Sequence, residues 1–248
     1  MRIMFKSDFE PSYDPVFSNN SWATIKRACQ SGNIPSTWLV GDTKEMVGAD
    51  GNTYTIRLVD KQSGRYTYSN DITKTTNAVF EFVELIPQTT RYNASNTNEG
   101  GFADSLLRKN LNGLTDCTYD YMTNVIPTEL RDLLEFINVT TADGGGESYT
   151  GMTSSANKLF VGCMVNIISI AIQRYIDEDT KGQFDYYKSG LRVRAKALVT
   201  DPTEYKAYWL ASPYYNGDRA CGIINTDSSA TMNEFASFNY SVAPCWAW

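Results

Sequence analysis

Tyr208-Trp209-Leu210-Ala211-Ser212-Pro213-Tyr214-Tyr215-Asn216-Gly217-Asp218 and, further on, Val242-Ala243-Pro244-Cys245-Trp246-Ala247-Trp248 decide the architecture. Two apolar, Trp-bearing blocks bracket an interval built almost wholly of Tyr, Asn, Ser, Asp, Thr, Phe and Gly. Tyr and Trp give large contact area for few frozen torsions, and Ser, Gly and Asn give adaptable hydrogen bonds. That composition predicts a rigid scaffold presenting a binding face near residues 214–240. The candidate ligand-binding residues are Tyr214, Tyr215, Asn216, Asp218, Arg219, Asn225, Asp227, Asn233, Phe235, Phe238 and Asn239. Trp209 and Trp246 lie in apolar strands and are expected in the core, whereas Trp248 is available to an interface. The competing reading of the interval is a set of β-turns, since Asn, Asp, Gly and Ser form turns anyway. Its surplus of Tyr and Phe favours contact.

Working outward, the periodicities describe a scaffold of mixed type. Ser21 is a candidate N-cap for a short helix over 21–31 with Trp22, Ile25 and Cys29 on one face and Gly32 as its stop. Thr53 to Asp60 alternates as a half-buried strand with Tyr54, Ile56 and Leu58 inward, and Ala78 to Ile86 is a second, more deeply covered strand. A helix is expected from Phe102 through Leu111. Leu130, Leu133, Leu134 and Ile137, after Pro127, give the clearest helical spacing in the chain. Thr140 to Ser148, with Gly144-Gly145-Gly146, predicts a plain flexible loop, because no Lys-Ser/Thr follows at P-loop spacing. Lys158 to Val161 predicts a short strand, and from there to Ile176 helix and strand are not separable. Leu191 to Val199 alternates, with Arg192, Arg194 and Lys196 on a solvated strand face. Short strands are expected at 207–210, 220–225 and 241–248. The sum is one α+β domain over 21–248, two or three helices on mostly antiparallel strands, preceded by an N-terminal arm, residues 1–20.

Composition limits the chemistry. Net charge is -6 without a long Lys/Arg block, which argues against nucleic acid as a main ligand. His is absent, so Ser-His-Asp and Cys-His pairs and His-bearing metal sites are excluded. The five cysteines, Cys29, Cys117, Cys163, Cys221 and Cys245, show no CxxC spacing and are expected as buried free thiols. Met1 to Asp8 lacks the apolar core of a secretory signal. The stretch from Leu159 to Ile172 is too interrupted to span a bilayer, so no membrane insertion is expected. Asp177-Glu178-Asp179 is expected as a solvated acidic loop.

The order of segments resembles an uncharacterised phage and gut-bacterial family with a C-type-lectin-like fold, related to formylglycine-generating enzymes. The resemblance rests on Ser21-Trp22-Ala23, Val40-Gly41-Asp42, Tyr54-Thr55-Ile56-Arg57, Asn96-Thr97-Asn98 with Gly100-Gly101-Phe102, and Leu107-Arg108 with Leu111-Asn112. It continues through Pro127 with Leu130-Arg131, Lys158-Leu159-Phe160, Tyr186-Tyr187, Tyr208-Trp209-Leu210-Ala211-Ser212-Pro213 and Ser241-Val242-Ala243-Pro244. Ala211 stands where the family usually has Arg, and the stretch Cys163 to Ile170 departs from its acidic, Phe-bearing pattern.

The resemblance implies a phage virion protein, a tail or head fibre component with a receptor-binding, adhesin-like role. Its C-terminal face would be of the kind varied by diversity-generating retroelements. Implied partners are a host-surface glycan or protein, other virion proteins through residues 1–20, and sister subunits in a homo-oligomer, a trimer by analogy. The alternatives are a structural decoration or fibre protein without an external ligand, and a copper oxidase using Cys221 and Cys245, as related enzymes use a Cys pair. The apolar surroundings of those cysteines suit inert thiols, and no cofactor or metal is otherwise called for. The Glu-Pro-Asn and Trp-Asn-Asp triplets of calcium-dependent sugar sites do not occur.

Overall fold

Ser21 begins the first helix as expected: its hydroxyl accepts from the Thr24 amide at 3.2 Å, capping α1 (Trp22–Gln30), whose buried stripe is Trp22, Ile25, Ala28 and Cys29. The structure is a computed structural model, and it describes residues 12–61, 64–145, 151–169, 173–189, 193–214 and 217–248. Tyr13, Phe17 and Asn20 belong to the proposed arm. Phe17 is buried against Trp38 at 5.4 Å between ring centroids, and the Trp38 indole donates to Asp14 O at 2.9 Å.

Strands dominate, and most pair antiparallel. β1 (Thr43–Val47), β2 (Thr53–Lys61), β5 (Ala78–Phe82) and β15 (Cys245–Ala247) form one sheet in the order β1-β2-β5-β15. The alternation of β2 places Tyr54, Ile56 and Leu58 inside, as its sequence predicts. A second sheet takes β3 (Thr67–Tyr68), β4 (Asp71–Thr75), β7 (Ile137–Ala142) and β8 (Met152–Asn157) in the order β4-β3-β7-β8. A third uses β6 (Ile86–Arg91), β11 (Tyr208–Pro213), β12 (Ala220–Ile224), β13 (Ala230–Phe235) and β14 (Asn239–Val242) in the order β13-β12-β11-β14-β6. There β11 and β14 run parallel. β9 (Lys196–Leu198) and β10 (Asp201–Lys206) make a separate ribbon.

Two ladders in succession, β14 on β6 and β15 on β5, tie the third sheet to the first. Asn239 pairs with Arg91 and Val242 with Ile86, and beyond a bend Cys245 pairs with Glu81 and Ala247 with Val79. The expected single strand from Ala78 to Ile86 is therefore two, β5 and β6, which run in different sheets. The end of the chain is interior. Trp248 is fully buried, its amide donates to Ala78 O at 3.1 Å, and its ring lies 5.4 Å from Phe80 and 6.0 Å from Trp246. The expectation of Trp248 at an interface is corrected: aromatic burial in the core claims it. Trp209 and Trp246 are fully buried as expected.

Helix is confined to short pieces: α2 (Gly101–Asp104), α3 (Leu106–Asn112), α4 (Tyr121–Asn124), α5 (Thr128–Arg131), α6 (Met164–Ile167) and α7 (Gln173–Glu178). The expected long helix after Pro127 is only the single turn of α5. Leu130 and Leu134 are buried as its spacing demands, but Ile137 opens β7, because strand pairing with Tyr68 and Asn157 claims it. Likewise the expected loop from Thr140 begins as the end of β7, and residues 146–148 lie outside the described residues. Lys158 to Val161 forms no strand, only the isolated bridge Phe160–Cys245.

Two charge readings are also overturned. Lys196 is buried and pairs with Glu81 at 3.1 Å, so the 192–196 alternation is not a solvated face, while Arg192 lies outside the described residues. Glu178 and Asp179 are buried, not solvated. No helix among the described residues is long and apolar enough to cross a membrane.

Candidate functional site

The polar interval divides into two clusters at opposite ends of the β12–β13 hairpin. At its tip, Asn225 donates to Thr231 Oγ1 at 2.7 Å and Asp227 accepts from the Ser229 amide at 2.9 Å. Hydrogen bonds from Ser229 hold the Asp227 carboxyl below its ordinary range. These are turn-forming contacts, so Asn225 and Asp227 serve the hairpin itself. Exposed Asn233 lies along β13 between the clusters, which five strand residues separate by roughly 15 Å.

The other end gathers Asp218, Arg219, Phe235, Phe238 and Asn239. Ala220 pairs with Phe235, and a turn returns the chain from Phe235 O to the Phe238 amide at 2.9 Å. The rings of Phe235 and Phe238 meet edge-to-face at 5.3 Å, each 46% exposed. An aromatic pair held together yet half in solvent is unusual for a residue type that seeks burial. Arg219 and Asp218 are exposed beside it and lie 3.6 Å apart, an ion pair too solvated to hold shape. Asn239 lines a cavity of 390 Å³ with Gln88, Arg91, Ala94 and Tyr119. Tyr214 is half-buried, whereas Tyr215 and Asn216 lie outside the described residues.

Rigidity comes from a residue not among the candidates. Asn98 is fully buried; its side-chain amide donates to Gly217 O at 2.8 Å and Tyr214 O at 3.3 Å, and its Oδ1 accepts from the Gly145 amide at 2.8 Å. Its own amide donates to Asp218 O at 2.8 Å. Asn98 thus ties Tyr214, Gly217 and Asp218 to Gly145. Gly144 takes φ +69°, and a Cβ there would sit 2.0 Å from Asn98 O. Close approach, rather than flexibility, explains this part of the Gly run. The sequence signal available was the Asn96-Thr97-Asn98 stretch, one residue before Gly100-Gly101.

A second polar centre lies inside. The Ser212 hydroxyl donates to Glu178 and accepts from the Met164 amide at 2.8 Å, while the other Glu178 oxygen accepts from the Ala142 amide at 3.2 Å. Burial pushes the Glu178 carboxyl up to about 8, against the lowering effect of the Ser212 and Ala142 hydrogen bonds. Asp179 takes Arg65 at 2.7 Å and Asn166 at 2.9 Å, and the same guanidinium bonds Asp60 and Gly182 O. Ser212 is fully buried, and burial favours the neutral form of the carboxyl it meets. The centre is a clamp between β7, β11, α6 and α7.

Cys221 and Cys245 are both fully buried, and burial raises both thiols well above their ordinary range. That environment disfavours the thiolates that a soft metal requires. All five cysteines are free thiols. Among the described residues, no group of three or more His, Cys, Asp or Glu side chains is arranged to hold a metal ion.

No family model, curated protein or solved structure matches this chain.

Proposed function

We propose that the chain is a virion-associated binding protein with a C-type-lectin-like architecture. In this reading it engages a host-surface glycan or protein through the end of the third sheet that carries Asp218, Arg219, Phe235, Phe238 and Asn239. The observation that carries the proposal is the exposed, edge-to-face Phe235–Phe238 pair set beside loops that Asn98 holds rigid. Preformed aromatic anchors ringed by polar groups are the arrangement that hot spots of binding use. Weak contacts of this kind gain strength through multivalent display on an oligomer.

The test is adsorption of the fluorescently labelled full chain to a panel of gut bacteria. The Phe235→Ala/Phe238→Ala double variant should lose adsorption while keeping its melting temperature. Adsorption unchanged in a folded double variant overturns the assignment of this face. Absence of adsorption by the parent protein favours a decoration or fibre component without an external ligand.

A further inference from the structure

Glu81 stands on β5 inside the first sheet, paired with Arg57 of β2 on one side and Cys245 of β15 on the other. Lys196, the first residue of β9, meets it there. Its Nζ lies 3.1 Å from Glu81 Oε2, and the two side chains are only 4% and 2% exposed. The Tyr187 hydroxyl, on the 3-10 turn Asp185–Ser189, donates to the same carboxylate oxygen at 2.7 Å. Tyr208, whose ring centroid lies 5.9 Å from Lys196 Nζ, and Cys245 are buried beside them.

This pair differs in kind from Arg65 and its two aspartates. A guanidinium stays charged, whereas a buried amine gives up its proton and becomes a nucleophile. Burial lowers the Lys196 ammonium from its ordinary range, and Glu81 opposes that shift. An ammonium carries three donors. One goes to Phe82 O at 2.6 Å and one reaches toward Val83 O at 3.5 Å. The third lies toward Glu81. A proton handed to the carboxylate therefore uncovers a lone pair that faces the carboxyl group. The Arg57 guanidinium, stacked on the Tyr186 ring at 4.1 Å, adds positive charge that further favours the neutral amine.

We infer that Lys196 and Glu81 condense into a side-chain amide inside the folded protein. The ammonium first passes a proton to the carboxylate, leaving amine and carboxylic acid. The Nζ lone pair then attacks Glu81 Cδ, and the carbonyl electrons move onto oxygen. The Tyr187 hydroxyl relays a proton from nitrogen to the departing hydroxyl. The C–O bond breaks, the carbonyl re-forms and one water leaves, with nothing oxidised or reduced. Fixed contact supplies the high effective concentration the step needs, and the dry surroundings disfavour hydrolysis of the product. The amide fastens the β9–β10 ribbon to the first sheet, beside the backbone bonds from Leu85 N to Ala197 O at 2.8 Å and from Val199 N to Leu85 O at 3.1 Å. It is independent of the Phe235–Phe238 face.

Mass spectrometry of the denatured full chain tests this. The parent protein should be lighter than its sequence by one water, and a tryptic digest should contain a single linked species joining the peptides that carry residues 81 and 196. Lys196→Arg should show the unmodified mass, which is readable whether or not that variant folds. Glu81→Gln should lose ammonia in place of water, with the link at the same two positions. In cell-free synthesis Tyr187→Phe should form the link roughly a hundredfold more slowly than the parent. A parent chain of full sequence mass, or a water loss that maps to other residues, overturns the inference. A link formed at the parental rate in Tyr187→Phe overturns the proton relay.

Discussion

The side-chain amide of Asn98 meets the carbonyl of Gly217, 119 positions later in the chain, at 2.8 Å. That contact makes the presentation of the C-terminal face depend on a residue in the loop before α2. Asn98→Ala removes this bond and the one to Tyr214, and it leaves the Gly145 amide without its acceptor. Destabilisation of about 3 kcal/mol is expected from the lost bonds and the orphaned donor. Urea denaturation measures it, and amide exchange should accelerate at Gly145.

Arg65 is the hub of the interior. Asp60 and Asp179 both bond its guanidinium, and all three side chains are almost wholly buried. Arg65→Met should cost about 3–5 kcal/mol, because it removes the guanidinium that two buried carboxylates share. Arg65→Lys should rescue little, since an ammonium cannot reproduce the planar fork. Chemical denaturation of the two variants checks both statements, and a lysine variant as stable as the parent would refute the second.

Glu178 predicts a particular pH dependence. Its carboxyl is raised from an ordinary 4.5 to about 8 in the folded protein, chiefly by burial. The native state then binds this proton more tightly than the unfolded state. Its contribution therefore makes stability fall as pH climbs from about 4.5 to about 8, with a slope approaching ~1.4 kcal/mol per pH unit, and flatten above. Glu178→Gln should remove that slope, so the variant gains on the parent as pH rises. Melts of both proteins from pH 5 to pH 9 read the difference, and parallel curves would contradict it.

Thiol accessibility should be sharply graded. Cys29, Cys163, Cys221 and Cys245 are buried, whereas Cys117 is half-exposed. Burial raises the Cys29 thiol to about 12. The native protein should react with an aromatic disulfide reagent at Cys117 alone, and the unfolded protein at all five cysteines. Rapid native labelling at Cys221 or Cys245 would reopen the copper reading.

Local signals in the sequence were dependable where a single segment decides its own shape. The Ser21 cap and the alternation of β2 are written in residues a few positions apart. The misreadings share a different cause. Glu178, Asp179 and Lys196 look solvated because a run of charge usually is, yet Arg65 lies 114 positions before Asp179 and reaches it through the fold. Leu130 to Ile137 satisfied a helical period, but its apolar residues are buried in turn by α5, a turn and β7. Within the candidate interval, alternating polarity cannot distinguish a residue that builds the hairpin, such as Asp227, from one that solvent meets, such as Phe238. That distinction arises only once Asn239 pairs with Arg91 and fixes which end of the sheet is free.

The β5–β15 ladder joins a strand made early to one made more than 160 residues later. β5 is synthesised early, but one of its edges stays bare until residues 245–247 have left the exit tunnel. Until then Phe80 also lacks the indoles of Trp246 and Trp248 that cover it. Between the synthesis of β5 and that of β15, a nascent chain therefore carries an apolar strand with one unpaired edge, the condition under which edges join between neighbouring molecules. Slowing synthesis would prolong that interval, and expression at lower temperature in the presence of holdase chaperones should raise the yield of folded protein.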